Sequence, residues 1–211
     1  MNVLENSVNS FGSAIILAGG KSMRMGFDKQ FLKLENKSNV ELLIEKLSPL
    51  FSDFIIVTNK PNEYDDEKIK YEKIKLVSDE IKDKGPLSGI HIGLKESKSK
   101  YAYLIACDMP IVNLDYIRYM MALLKIKESD AVVTEDRIGI EPFNAFYSRD
   151  LYKVIELYLN SDKRDIKTLL QTVNTTYIPH KKALKMSPDW SMFLNLNTKE
   201  DLEKYERSQS R

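Results

Sequence analysis

Ala14-Ile-Ile-Leu-Ala-Gly-Gly-Lys-Ser-Met-Arg-Met-Gly-Phe-Asp-Lys29 joins a short aliphatic run to a loop of glycines and cations. A continuous apolar run stopped by Gly19-Gly20 predicts a strand buried on both faces, as in a parallel sheet. In the loop, Gly19, Gly20 and Gly26 let backbone amides come close to an anion. Lys21, Arg24 and Lys29 add three positive charges within nine positions. Backbone donors combined with fixed positive charge suit a polyphosphate, and the end of a first strand is where open sheets bind ligands. A glycine-rich turn with solvated cations is the plainer alternative. Neither Gly-x-x-x-x-Gly-Lys-Ser/Thr nor Gly-x-Gly-x-x-Gly occurs, so the standard NTPase phosphate loop and dinucleotide redox chemistry lose their main support.

Working outward, residues 39–49 repeat apolar positions at helical spacing (Val40, Leu43, Ile44, Leu47), with Ser38 or Asn39 as the cap. Strands are predicted at residues 54–58, 75–78, 101–106 and 130–134, and helices at 86–97 and 114–127. Residues 142–147 read as a late strand returning antiparallel. Helices at 151–159 and 166–173 and an extended 175–179 follow, and Thr198 with Asp201 forms a capping box. Alternating strands and helices predict an α/β fold, a three-layer αβα Rossmann-like domain whose sheet is mostly parallel. Residues 1–11 read as a flexible leader and 12–207 as a single domain.

Composition narrows the function. The 211 residues carry 32 Lys+Arg and 31 Asp+Glu, a net charge of +1, which argues against a nucleic-acid binder. The single Cys107 excludes an internal disulfide, and two histidines make a structural zinc site an unattractive reading. No apolar run approaches the roughly 18–20 residues that spanning a bilayer needs. No secretory signal precedes the first strand, so a cytoplasmic location without membrane attachment is expected.

Three further stretches carry chemistry. In Ala106-Cys-Asp-Met-Pro110 a buried strand delivers Asp108 to the same sheet edge as the basic loop. A carboxylate facing a polyphosphate calls for Mg²⁺ between them, though Asp108 alone could simply end the strand. Cys107 reads as a small buried residue. Lys84-Gly-Pro-Leu-Ser-Gly-Ile90 follows Asp79; Gly85, Pro86 and Leu87 open a helix whose amides could meet a base or phosphate. Asp79 could accept both the N1–H and the exocyclic amine of guanine, a pair cytosine lacks. In Phe193-Leu-Asn-Leu-Asn-Thr198, alternation predicts a strand end with Asn195 and Asn197 on one face, orienting a substrate or capping the next helix. His91 and Trp190 read as packing residues and His180-Lys-Lys as a basic turn.

Taken together, these stretches resemble the molybdenum cofactor guanylyltransferase family of the nucleotidyltransferase superfamily. Its pattern Leu-Ala-Gly-Gly-x-Ser-x-Arg-Met-Gly-x-Asp-Lys is met from Leu17 to Lys29. Gly-Pro-Leu-Ser-Gly at 85–89, Cys-Asp-x-Pro at 107–110 and Asn-x-Asn-Thr at 195–198 follow in family order. The resemblance implies transfer of GMP from GTP to the terminal phosphate of molybdopterin, with pyrophosphate released. It implies nucleotide contacts at Leu17, Ala18, Gly19, Gly20, Lys29, Asn59 (or its neighbour Thr58) and Asp79, and at Gly85, Pro86 and Leu87. Asp108 would hold Mg²⁺, Arg24 would neutralise the leaving pyrophosphate, and Asn195 and Asn197 would face molybdopterin. A molybdenum-insertion protein or an apo-molybdoenzyme is an expected partner. The chain departs from the family pattern at Lys199, often Pro, and at Glu141-Pro142, often His-Pro. Rival readings are a CTP-dependent molybdopterin cytidylyltransferase, a sugar- or isoprenoid-phosphate nucleotidyltransferase, and a nucleotide-binding paralogue without turnover.

Overall fold

β-Branched and aliphatic side chains with no polar alternation make Ser13–Leu17 a central strand, β1, and all five residues are buried. A computed structural model of the chain describes residues 9–19, 33–34, 37–64, 74–82 and 84–209. After β1 come a two-stranded hairpin, β2 (Lys33–Leu34) with β3 (Lys37–Ser38), and helix α1 (Asn39–Leu47). Then follow β4 (Asp53–Val57), β5 (Ile74–Val77), α2 (Pro86–Glu96), β6 (Tyr101–Ala106), α3 (Leu114–Lys127), β7 (Ala131–Glu135) and β8 (Ile140–Ser148). Helices α4 (Leu151–Asn160) and α5 (Ile166–Thr172), strand β9 (Thr175–Ile178), a short α6 (His180–Ala183) and α7 (Lys199–Gln209) complete the described chain.

Seven strands form one sheet in the order β5-β4-β1-β6-β8-β7-β9. Only β8 runs against its neighbours, pairing antiparallel with both β6 and β7. The late antiparallel strand expected from the sequence is therefore present. Its pairing with β7 slips between Val132 and Thr134, leaving residues 142–145 of β8 opposite Val133 in a bulge. Asn144 takes a left-handed backbone there (φ 54°). It can do so because its side chain is fully used: Oδ1 accepts from Tyr103 OH at 2.6 Å and Nδ2 donates to Met192 O at 3.1 Å.

Alternation along each strand divides the core into two layers. Ala14 and Ile16, with Phe54, Tyr103 and Phe146, face α1 and α3; Ile15 and Leu17, with Ile55, Leu104 and Tyr147, face α2, α4 and α5. Each fully buried Ile, Leu or Phe among them stabilises the fold by about 1.5–3 kcal/mol. Helix α2 lies close on β1 because it carries glycine: a Cβ on Gly93 would lie 2.6 Å from Ile15 Cγ2. Helix α1 starts at the expected cap. Ser38 Oγ accepts from Glu41 N–H at 3.3 Å, and Glu41 Oε2 accepts from Ser38 N–H at 2.6 Å.

Residues 1–8 of the expected leader lie outside the described residues. Residues 9–11 are held: Lys100 and Tyr101 N–H donate to Asn9 O and Ser10 O, and Phe11 stacks on Tyr101 with ring centres 5.5 Å apart. Among the described residues, no helix is long and apolar enough to cross a membrane.

Candidate functional site

The sheet reverses its winding at β1: the chain steps out to β4 and β5 on one side, then returns to β6 on the other. Crevices open at the carboxyl ends of strands where that reversal occurs. Here Ala18 N–H donates to Val57 O at 2.8 Å and Cys107 N–H donates to Leu17 O at 2.9 Å. These bonds hold the Leu17-Ala18-Gly19 backbone between the ends of β4 and β6. Gly19 is exposed beside Asn59, and a Cβ placed on it would lie 3.5 Å from Asn59 Nδ2. Thr58 is 1% exposed, with its Oγ1 accepting from Lys60 N–H at 3.0 Å, whereas Asn59 is exposed. Of that pair, Asn59 is the residue open to a ligand. The candidates Gly20, Arg24 and Lys29 lie outside the described residues, as do Lys21 and Gly26.

On the β5 side, Asp79 is half-buried close to the first turn of α2. A Cβ on Gly89 would lie 3.6 Å from Asp79 Oδ1, 3.4 Å from Val57 Cγ1 and 3.0 Å from Leu17 Cδ2. The Asp79 carboxylate, the start of α2 and the end of β1 thus share one corner. Burial raises the Asp79 carboxyl above its ordinary value, since desolvation penalises the charged form. Gly85 caps α2 with φ 73° and ψ −157°, a conformation side chains resist, and Pro86 starts the helix. The Leu87 side chain belongs to the core, so its backbone is what remains for a ligand. Lys84 is ion-paired to Asp162, which ties this loop to the turn between α4 and α5.

On the β6 side, Asp108 is half-buried one residue past Cys107, whose thiol is buried as expected. Asp108 O accepts from Leu196 N–H at 2.8 Å, which brings Asn195 and Asn197 beside the Asp108 turn. The strand end expected at 193–197 is not formed. Residues 191–193 make a 3₁₀ turn and 194–197 run irregularly. Local polar bonds replace a ladder: Asn195 Nδ2 donates to Phe193 O at 3.2 Å, and Asn197 N–H donates to Asn195 O at 3.0 Å. The capping box does form, with Thr198 N–H donating to Asp201 Oδ2 at 2.9 Å and Asp201 N–H to Thr198 Oγ1 at 3.2 Å. Asn195 and Asn197 line a cleft of about 520 Å³ together with Trp190 and Phe193.

As a test of Mg²⁺, no group of three or more His, Cys, Asp or Glu able to hold a metal occurs among the described residues. Mg²⁺ does not require one, because it binds through one or two carboxylates plus substrate phosphates and water. A single half-buried Asp108 at the sheet edge fits that donor set.

Sequence reasoning passed over Glu141 as a titrating group. Burial, with Asp136 adding to it and Lys167 opposing, pushes its carboxyl up to about 7. It also read Trp190 as packing alone. His91 is fully buried on α2, and desolvation lowers its pKa, as suits a neutral packed imidazole.

Comparison with known proteins agrees with this geometry. The family described as MobA-like NTP transferase domain matches residues 14–177. A protein of Syntrophotalea carbinolica named molybdenum cofactor guanylyltransferase is 52% identical over 197 residues, 93% of this chain and 91% of that protein. One of Peptoclostridium acidaminophilum, named probable molybdenum cofactor guanylyltransferase, is 50% identical over 92% of this chain and 88% of its own length. The crystal structure of molybdopterin-guanine dinucleotide biosynthesis protein A from Archaeoglobus fulgidus superposes with a TM-score of 0.79 at 26% identity, covering 94% of this chain and 98% of that one. With the sheet reversal at β1 carrying Gly19, Asn59, Asp79 and Asp108 to one edge, the chain belongs to the family of MobA-like NTP transferases.

Proposed function

We propose that this chain is a molybdenum cofactor guanylyltransferase: it transfers GMP from GTP to the terminal phosphate of molybdopterin and releases pyrophosphate. One observation carries this reading. Asn59, Asp79 and Asp108 follow β4, β5 and β6, which lie on either side of β1 and its Gly19, in a chain 52% identical to a guanylyltransferase over almost its whole length.

The chemistry asks little of protein nucleophiles. A phosphate oxygen of the acceptor attacks the α-phosphorus of GTP, the α–β anhydride bond breaks, and pyrophosphate leaves with its electron pair. The attacking group is already an anion, so positioning and charge stabilisation account for most of the catalysis. Asp79 accepts from guanine N1–H and N2–H, and Asn59 contacts the base. The backbone of Leu17, Ala18, Gly19 and Gly20 lines the nucleotide, joined by the start of α2 at Gly85, Pro86 and Leu87. Lys29 holds the phosphates and Arg24 offsets charge on the leaving pyrophosphate. Asp108 would hold Mg²⁺, which would supply Lewis-acid neutralisation of phosphate charge. Asn195 and Asn197 face the acceptor. The reaction belongs in the cytoplasm, and a molybdenum-insertion protein or apo-molybdoenzyme would hand over the acceptor or take the product.

The test is turnover by the purified chain with GTP, Mg²⁺ and molybdopterin. Pyrophosphate and the guanine dinucleotide should form one to one. Asp108→Asn should cut kcat by about a hundredfold or more, as loss of an electrostatic contact to a reacting phosphate does. Formation of the cytosine dinucleotide from CTP at a higher kcat/KM would move the chain to the sister activity.

A further inference from the structure

Trp190 has no assigned role, yet three observations single it out. First, its backbone is left-handed (φ 59°, ψ 14°), a conformation that bulky residues avoid. The surrounding turn maintains it: Trp190 N–H donates to Ser187 O at 3.0 Å, Phe193 N–H donates to Trp190 O at 3.1 Å, and Asp189 Oδ1 accepts from Ser191 N–H at 3.1 Å. Second, the indole is clamped. Its ring centre is 4.3 Å from that of His180 and 4.5 Å from that of Phe193. Third, it lines the cleft of about 520 Å³ that also takes in Ile111, Asn195, Asn197 and Lys204. Among the described residues, no hydrogen bond engages its indole N–H.

The cleft has a definite address. The Leu196 N–H to Asp108 O bond joins its Asn195 and Asn197 wall to the turn bearing Asp108. The guanine-side residues Asn59 and Asp79 follow β4 and β5, across β1 from this cleft. Whatever fills the cleft therefore approaches the transferred phosphate from the side opposite the base. Its wall mixes an immobilised aromatic, the amides of Asn195 and Asn197, the carboxylates of Asp189 and Asp201, and the ammonium of Lys204, which pairs with Glu200 at 3.2 Å. That mixture suits a planar heterocycle whose edges carry both hydrogen-bond donors and acceptors.

We propose that Trp190 is a specificity-determining residue for the acceptor, forming the rigid wall against which its pterin ring lies. This rests on the acceptor being molybdopterin, as argued above. His180 and Phe193 hold the indole in place before the ligand arrives, so little side-chain entropy is lost on binding.

Trp190 is the only tryptophan in the chain, so its emission reports on this cleft alone. Titration of the wild-type protein with molybdopterin, corrected for inner-filter absorption against free N-acetyltryptophanamide, should quench that emission saturably. GTP with Mg²⁺ should leave it almost unchanged. In turnover, Trp190→Ala should raise KM for molybdopterin by about tenfold with KM for GTP unchanged, and Trp190→Phe should recover most of the loss. Emission that stays flat through the molybdopterin titration while guanylyl transfer proceeds overturns the proposal and leaves the activity standing. Equal quenching by GTP also overturns it, since the signal would then not belong to the acceptor. Saturable quenching by molybdopterin in a protein that transfers no GMP supports the cleft and removes the guanylyltransferase reading.

Discussion

Asp79 carries the base selectivity in this account, and its surroundings say how it should respond to pH. Burial raises its carboxyl above the ordinary range in the free protein. Guanine needs the ionised form as a double acceptor, so GTP affinity should fall as pH drops through that raised value. The loss should set in at a higher pH than for an exposed aspartate. Asp79→Asn removes the charge and turns one acceptor into a donor. It should weaken GTP binding by about ten- to a hundredfold, the scale of one charge-assisted hydrogen bond, while leaving CTP binding unchanged in calorimetry. Glu141 offers a test of stability instead. Burial pushes its carboxyl up to about 7 in the folded chain from an ordinary 4.5. The folded state then binds the proton more tightly, so this group's contribution declines as pH rises from about 4.5 to about 7 and is level above that. Glu141→Gln should therefore raise Tm more at pH 8 than at pH 5; the same change at both would contradict it. Residues such as Asp79 and Asp108 were legible because each sits in a short motif directly after a strand. The choice between Thr58 and Asn59 was not, since it depends on pairing with β5: Thr58 N–H donates to Val77 O and Ser78 Oγ donates to Thr58 O, so Thr58 is buried and Asn59 left exposed. Trp190 gave no local signal either: its partners are His180, ten residues earlier, and Phe193, three residues later.

Elements follow local physics where their interactions are local. Helix α3 spans Leu114–Lys127 as its apolar period requires, capped by Asn113 Oδ1 accepting from Tyr116 N–H at 2.9 Å. The strand end expected near Asn195 failed because the Leu196 amide bonds Asp108 O, a partner some ninety positions away that no alternation pattern reveals. The bulge in β8 is hidden for the same reason, since Tyr103 and Met192 secure Asn144. The short α6 was read as a basic turn; four residues are too few to show a period. Helix α2 separates stability from binding at two glycines. Gly93→Ala would press a methyl against Ile15 Cγ2 on a β-branched side chain that cannot swing away. It should cost about 1–3 kcal/mol in denaturant unfolding, with GTP affinity retained. At Gly85 a Cβ meets open space, but φ 73° with ψ −157° excludes it. Gly85→Ala should shift the helix start and weaken GTP binding more than it lowers stability.

At the scale of the whole molecule, the reversal at β1 divides the sheet edge into two halves. Asn59, Asp79 and the start of α2 lie toward β5, and the Trp190 cleft lies beyond β6. Asp108 stands at the boundary, after the strand that pairs with β1. Donor and acceptor determinants on separate elements should act independently. In a cycle of Asp79→Asn and Trp190→Ala, the losses in kcat/KM should add within about 0.5 kcal/mol. The strand order also explains how much of the function sequence could carry. The parallel half is written in contiguous strand-loop-helix units, and the motifs proposed to contact the nucleotide lie in it. The cleft proposed for the acceptor is assembled from the 187–193 turn and the approach to α7, joined to β8 through Asn144, and these meet only in the folded chain. The central claim is guanine-selective binding through Asp79, and calorimetry with Mg²⁺ and each of GTP, CTP, ATP and UTP tests it most directly. The account predicts clear preference for GTP in the wild-type chain, and loss of that preference in Asp79→Ala. Equal affinities for the four nucleotides, or a GTP preference that survives Asp79→Ala, would contradict it.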